Sequence, residues 1–257
     1  MRSQWYSAPA AILAGVNDAP RSLEWRRERM REARLYFVCD TRAAATRSLL
    51  EAALRGGVDV IQLRDKALGD DDLIAAAAPF REAAREHGAL FILNDRPDLV
   101  EACGADGVHV GQEDLAVADA RRIAGPSSLV GLSTHTPQQI DAAAAAGAHE
   151  RPDQLSVGPV WETPTKPDRP AAGLALVRYS AQRPVEVPWF AIGGIDASNV
   201  HEVVASGAER VVVVRAIRDA TDPEAAAREL RAALPAANPI APGRGAEEAI
   251  GRYVADA

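Results

Sequence analysis

Eight short apolar runs recur through the middle of this 257-residue chain, each separated from the next by an amphipathic or Ala-rich stretch. The runs occupy 35–39, 58–63, 89–94, 107–110, 129–133, 154–158, 189–193 and 210–214. Between them the pattern predicts helices over 42–55, 70–87, 137–146, 171–181, 198–206 and 223–234. Several start after Asp, Ser or Thr and stop at Gly, residues that satisfy the orphan backbone groups of helix ends. A strand that is apolar throughout is buried on both faces, which requires a parallel sheet covered by helices. Eight such units without a break in composition close best into an α/β (β/α)8 TIM barrel. A doubly wound open sheet is the other arrangement the pattern allows.

Two segments lie outside the repeat, so the expected organisation is an extension over 1–33, a barrel over 34–234 and a tail over 235–257. The extension holds a Pro-containing start and then a charge-dense helix over 22–33, with Glu24, Arg26, Arg27, Glu28, Arg29, Arg31 and Glu32. This helix is expected to pack beside the first strand and to close the barrel bottom. The tail reads as a Pro/Ala/Gly linker followed by a short amphipathic helix.

Composition excludes several classes of function. No apolar run approaches the roughly 20 residues of a bilayer span. The stretch 8–16 is short and holds Pro9, so a signal peptide is not expected. Cys39 and Cys103 lack metal-ligand spacing and sit in apolar contexts, as buried reduced thiols of a cytoplasmic protein do. The net charge of -7 argues against a non-specific nucleic-acid binder, so any attraction for phosphate must be local.

That local charge is distinctive. Of the 29 lysines and arginines only Lys66 and Lys166 are lysine. An ammonium is a compact point charge and a guanidinium a planar fork, so these two positions suggest a geometric requirement. Both lie in polar segments, Gln62-Leu63-Arg64-Asp65-Lys66 and Thr163-Pro164-Thr165-Lys166.

In a barrel, the C-terminal strand ends build the functional site. Gln62, Arg64 and Lys66 alternate at the end of the second strand and are expected to point inward together. Asp95 follows the third strand and Asp114 the fourth. Two carboxylates on adjacent strands suit Mg²⁺, a hard cation that takes its other ligands from water and substrate phosphates; as loop or cap residues they need no metal. Ser133 ends the fifth strand and offers a hydroxyl. His135 is either an acid/base or a helix-entry residue, and His109 reads as a satisfied core residue. The loop over 158–167 could fold over a ligand. Gly194, Val214 and Arg215, after strands seven and eight, form a second candidate anion site. Two anion sites in one pocket call for two phosphorylated ligands, or one ligand with a phosphate at each end.

In this order QLRDK (62–66), NDR (94–96), DGVHVGQED (106–114), STH (133–135), TPTK (163–166), AIGGI (191–195) and VVVRAI (212–217) resemble the thiamine-phosphate synthases. The resemblance covers about residues 34–233, and Asp95, Asp114 and Ser133 follow one another at intervals of 19 positions. It implies a transferase that joins 4-amino-2-methyl-5-pyrimidinylmethyl diphosphate to a thiazole phosphate, releasing diphosphate by a dissociative, Mg²⁺-dependent route. Gln62, Leu63, Arg64, Asp65, Lys66, Asn94, Ser133 and Lys166 would hold the pyrimidine diphosphate, with Arg64, Lys66, Ser133 and Lys166 as the catalytic set. Thr163, Pro164, Thr165, Gly194, Val214 and Arg215 would hold the thiazole phosphate, and Asp95 and Asp114 the Mg²⁺. Arg215 stands where many relatives carry Ser, and the 149–153 stretch is a few residues longer than in some. The implied partners are small-molecule substrates, with no nucleic acid and no membrane, and a homo-oligomer is admissible. A related thiazole tautomerase using His135, and a non-catalytic thiazole-phosphate sensor, are the alternatives. The joint presence of Asp95, Asp114, Lys66 and Lys166 counts against the tautomerase.

Overall fold

The structure, a computed structural model, describes residues 21–41, 46–163, 170–183 and 186–236. Helix α1 (Leu23–Glu32) precedes the first strand, β1 (Leu35–Cys39), and then strands and helices alternate. The next units are α2 (Thr46–Arg55), β2 (Val60–Leu63), α3 (Asp70–Glu86), β3 (Leu90–Asn94), α4 (Val100–Cys103) and β4 (Gly107–Val110). They continue with α5 (Val117–Ala124), β5 (Leu129–Thr134), α6 (Pro137–Ala145), β6 (Gln154–Val157), α7 (Gly173–Ala181) and β7 (Trp189–Ile192). The last are α8 (Val200–Ala205), β8 (Val211–Val213), α9 (Arg215–Arg218) and α10 (Pro223–Ala233). All eight strands pair in parallel, and β8 pairs with β1 to close the barrel.

The strands begin a residue or two later than the apolar runs at three places, β2, β3 and β8, and at the first two for one reason. The Val58 N–H donates to Ala53 O and the Ala89 N–H to Ala84 O, so those peptides close a helix end before the ladder starts. Of the predicted helix over 42–55, the part at 42–45 lies outside the described residues, as do residues 1–20 and the helix predicted near the C-terminus. Helices α4 and α9 are single turns, too short to show a period.

Strand side chains alternate between two layers. Leu35, Phe37, Ile61, Leu63, Phe91, Leu93, Val108 and Val110 face outward and pack under the helices. Tyr36, Val38, Val60, Leu90, Ile92, Leu129, Phe190 and Val212 face the lumen, where they meet Met30 and Ala33 beside α1. Helix α1 therefore lies across the N-terminal end of the barrel, with Met30 only 1% exposed. Ser22 caps it by accepting from the Trp25 N–H.

Polar contacts fasten this bottom face. Asp59, Asp106 and Asp153 each precede an even-numbered strand and accept a backbone N–H from the neighbouring odd one: Leu35 at 3.1 Å, Phe91 at 3.0 Å and Val130 at 2.8 Å. Arginines neutralise the carboxylates. Arg21 and Arg26 reach Asp106 at 2.8 and 3.0 Å, and Arg27 and Arg121 reach Asp153 at 2.8 and 2.9 Å. Burying a carboxylate is costly unless it is paired and hydrogen-bonded, and Asp106 and Asp153 are both.

Candidate active site

The lumen changes character along its axis. Below it is apolar; toward the C-terminal strand ends it carries Gln62, Asn94, His109, Ser133, Gln154 and Ser156. A cavity of about 340 Å³ opens there, and each of the eight strands contributes to its wall. Tyr36 and Gln62 form part of that wall, with Gln62 Nε2 donating to the Tyr36 hydroxyl at 2.8 Å. Burial pushes the Tyr36 phenol far above its ordinary pKa, so at neutral pH it is an uncharged hydrogen-bonding group.

The residues expected on the pyrimidine diphosphate separate into three groups. Gln62, Arg64, Asn94 and Ser133 line the cavity. Lys66 stands further out, with a side chain 61% exposed and its Nζ 2.9 Å from Asp95. The side chains of Leu63 and Asp65 turn away: Leu63 is wholly buried among the helices, while Asp65 accepts from the Thr41 N–H and hydroxyl and from the Ala67 N–H. Strand alternation is the reason for Leu63, since its neighbours Gln62 and Arg64 take the inward positions. Lys166 lies outside the described residues.

The acidic pair sits at the mouth. Asp95 is held at φ 60°, a left-handed conformation that Asp tolerates better than most residues. Its N–H donates to His109 O at 2.9 Å, fixing it to β4. Arg96 secures the chain just beyond, pairing with Asp98 at 2.6 Å and Asp70 at 2.7 Å. Asp114 Oδ2 accepts the Gly111 N–H at 2.8 Å. Among the described residues no group of three or more His, Cys, Asp and Glu gathers as a metal cage.

On the opposite wall Thr163, Gly194, Val214 and Arg215, the residues the resemblance assigns to the thiazole phosphate, line the cavity, while Pro164 and Thr165 lie outside the described residues. Gly193 and Gly194 have φ of 108° and 69°. A Cβ on Gly193 would stand 2.5 Å from Pro159 Cα, so only glycine fits there.

The two cations of the lining differ from their neighbours. Arg218 is committed to Asp219 at 2.7 Å and Asp40 at 3.3 Å. Arg64 and Arg215 form no ion pair among the described residues, and both face the cavity.

Sequence reasoning missed Tyr36, Gln154 and Ser156, and it took His109 for core alone. His109 is indeed buried, at 7% exposure, and hydrogen-bonded, yet it also lines the cavity. His135 is there too, its Nδ1 on the Gly158 carbonyl. One signal was available: polar residues inside otherwise apolar strands, all at lumen-facing positions.

A family model described as thiamine monophosphate synthase matches residues 35–217. The chain belongs to the thiamine monophosphate synthase family. It is 52% identical over 205 residues to the thiamine-phosphate synthase of Thermus thermophilus, covering 78% of this chain and 97% of that one. With the thiamine-phosphate synthase of Acidothermus cellulolyticus it shares 50% identity over 208 residues, covering 80% and 97%. Among solved structures, the thiamine phosphate pyrophosphorylase of Pyrococcus furiosus superposes with a TM-score of 0.71 at 31% identity, over 81% of this chain and 96% of that one. The stretch shared with the synthase family contains every strand of the barrel and the whole described lining of the cavity up to Ala216.

Proposed function

We propose that this transferase of thiamine biosynthesis joins 4-amino-2-methyl-5-pyrimidinylmethyl diphosphate to a thiazole phosphate, giving thiamine phosphate and diphosphate. One observation carries the reading: Arg64 on the β2 side and Arg215 on the β8 side line the same cavity, and neither forms an ion pair among the described residues. Two phosphorylated substrates held at those places would bring their reacting atoms together over Gln62, Asn94, His109 and Ser133, none of which is a strong nucleophile.

The reaction suits such a site. The C–O bond to the diphosphate breaks, and its electron pair leaves on the diphosphate oxygen. The aminopyrimidine stabilises the methylene cation, and the thiazole nitrogen then forms the C–N bond with its own lone pair. No proton need move, so no base is needed. Arg64, Lys66, Lys166 and the Ser133 hydroxyl would take up the charge that develops on the leaving group. Leu63 would contribute only main chain, and Asp65 would brace the loop that presents Lys66. Thr163, Pro164, Thr165, Gly194, Val214 and Arg215 would hold the thiazole phosphate. The cation survives only if water is excluded from the barrel mouth while it exists.

Asp95 and Asp114 would hold Mg²⁺. They fit it in donor type and number, since two carboxylates on adjacent strand ends leave room for phosphate oxygens and water. When bound, the ion supplies neutralisation of the diphosphate charge. Two buried free thiols, Cys39 and Cys103, support a cytoplasmic setting, and a homo-oligomer is compatible with the exposed Leu115 and Ile123.

Incubation of both substrates with Mg²⁺, and separately with a chelator, tests this. The expected result is thiamine phosphate and diphosphate in equal amounts with the metal and loss of both without it. Conversion of the thiazole phosphate alone, without the pyrimidine, would overturn the reading in favour of a tautomerase.

A further inference from the structure

Three lumen-facing residues share one level of the barrel. His109 on β4 is in register with Gly131 on β5, and Gly131 with Gln154 on β6. Gly131 contributes no side chain, and across that gap Gln154 Nε2 meets His109 Nδ1 at 2.7 Å. A Cβ at position 131 would collide with both partners. On its other side His109 Nε2 stands 2.9 Å from Ser133 Oγ. All three polar side chains are buried, with exposures of 2% for Gln154 and 7% for both His109 and Ser133.

Hydrogen-bond direction follows from donor chemistry. An amide nitrogen only donates, so His109 Nδ1 accepts and the imidazole is neutral with its proton on Nε2. That N–H then donates to Ser133 Oγ. With a donor already directed at its oxygen, the hydroxyl must send its own proton elsewhere, and the cavity adjoins it. Helping to fix the serine from the other side, Gln112 Nε2 donates to Ser133 O at 2.7 Å. The arrangement leaves Gln154 Oε1 buried without a hydrogen bond among the described residues, a stability cost that a residue kept for packing alone would not carry.

We infer that Gln154 is a positioning residue for the transfer: by holding His109 in the Nε2–H tautomer, it makes the Ser133 hydroxyl a donor to the departing diphosphate. The inference rests on the reaction proposed above. Ser133 touches the ligand, while Gln154 acts two residues removed, from a different strand.

The test combines spectroscopy with kinetics on the full chain. Nitrogen-15 NMR of the histidine-labelled, ligand-free protein, with His109 assigned by its loss in His109→Asn, is expected to show the Nε2–H tautomer. Gln154→Glu turns the bond around, because a carboxylate accepts from Nδ1–H. A ring that stays neutral then accepts from Ser133 through Nε2, and the hydroxyl no longer points at the ligand. The expected outcome is an Nδ1–H ring and a kcat lower by about tenfold or more, with both KM values within about threefold. In a Ser133→Ala background the same change is expected to cost nothing further. Gln154→Met keeps the volume without the donor and serves if the glutamate variant does not fold; it should give mixed tautomers, a smaller loss and the same dependence on Ser133. An Nδ1–H ring in the unmodified protein, or an equal loss with and without Ser133, would overturn the inference. Absence of product from the unmodified protein would instead overturn the reaction, and the ligand-free spectrum decides the tautomer regardless.

Discussion

The two ends of this barrel treat charge in opposite ways. At the N-terminal end Asp106 and Asp153 each meet two arginines and a backbone N–H, and Asp106 and Asp153 side chains are only 6% and 5% exposed. At the C-terminal end Arg64 and Arg215 face a cavity without an ion pair among the described residues, Asp95 holds a left-handed backbone, and two glycines take conformations other residues avoid. The first end spends its polar groups on one another and gains stability. The second leaves them for a ligand. The chain has the same parallel strands at both ends, so the contrast lies in side chains and loops, as the division of labour in this fold requires.

Substitutions at the two ends should therefore fail in different assays. The largest effect is expected at the top: Asp95→Asn, which tolerates the left-handed backbone, and Asp114→Ala should each lower Mg²⁺-dependent kcat/KM by about a hundredfold or more. Thermal melting should barely move. Full turnover in either variant would remove the metal assignment. Next comes the bottom, where Asp106→Ala takes the carboxylate from Arg21 and Arg26 and the acceptor from the Phe91 N–H. The expected loss is about 3 kcal/mol of stability, read by urea denaturation, with kcat of the folded fraction unchanged. A fall in kcat without a fall in stability would dissolve the contrast between the ends.

Arg215→Ser sharpens the picture of the cavity itself. Loss of one charged contact should raise the KM for thiazole phosphate about tenfold and leave the KM for the pyrimidine diphosphate alone. A change confined to the pyrimidine would reverse the assignment of the two ends of the cavity. The smallest effect concerns the outer wall of β1 near the top. Burial, assisted by the neighbouring Asp40 carboxylate, pushes the Cys39 thiol up to about 12 from 9.0. Its folded pKa is raised, so the stabilisation it brings is complete below about pH 9 and is lost as the pH climbs toward about 12. Cys39→Ala should flatten the stability profile over that window; an unchanged slope would show that the wall opens before the thiol ionises.

Much of the architecture could be read without coordinates, and the reasons are local. Uninterrupted apolar runs such as 35–39 and 107–110 announce strands buried on both faces, and the caps between them announce helices. The polar strand ends at Gln62, Arg64, Asn94 and Ser133 could be located for the same reason, since two-residue alternation assigns a face once a barrel is assumed. Leu63 and Asp65 show the limit of a motif: contiguous letters do not share a direction. His109 shows another. Within Gly107–Val110 nothing distinguishes a satisfied core histidine from one that relays a hydrogen bond to a serine.

Period, charge and motif order thus sufficed, from the sequence alone, to establish eight strand–helix units, the end of the barrel that bears chemistry, and the family. Those properties depend on neighbours along the chain, whose spacing is fixed by covalent geometry. Folding settled the rest: that Asp59, Asp106 and Asp153 join a strand brace instead of a site, that Arg64 and Arg215 share one cavity, and that Gln154 reaches His109 past a missing side chain at Gly131. Each of these brings together residues 15 or more positions apart in the chain, and it exists only because strand register carries them to one level of the barrel.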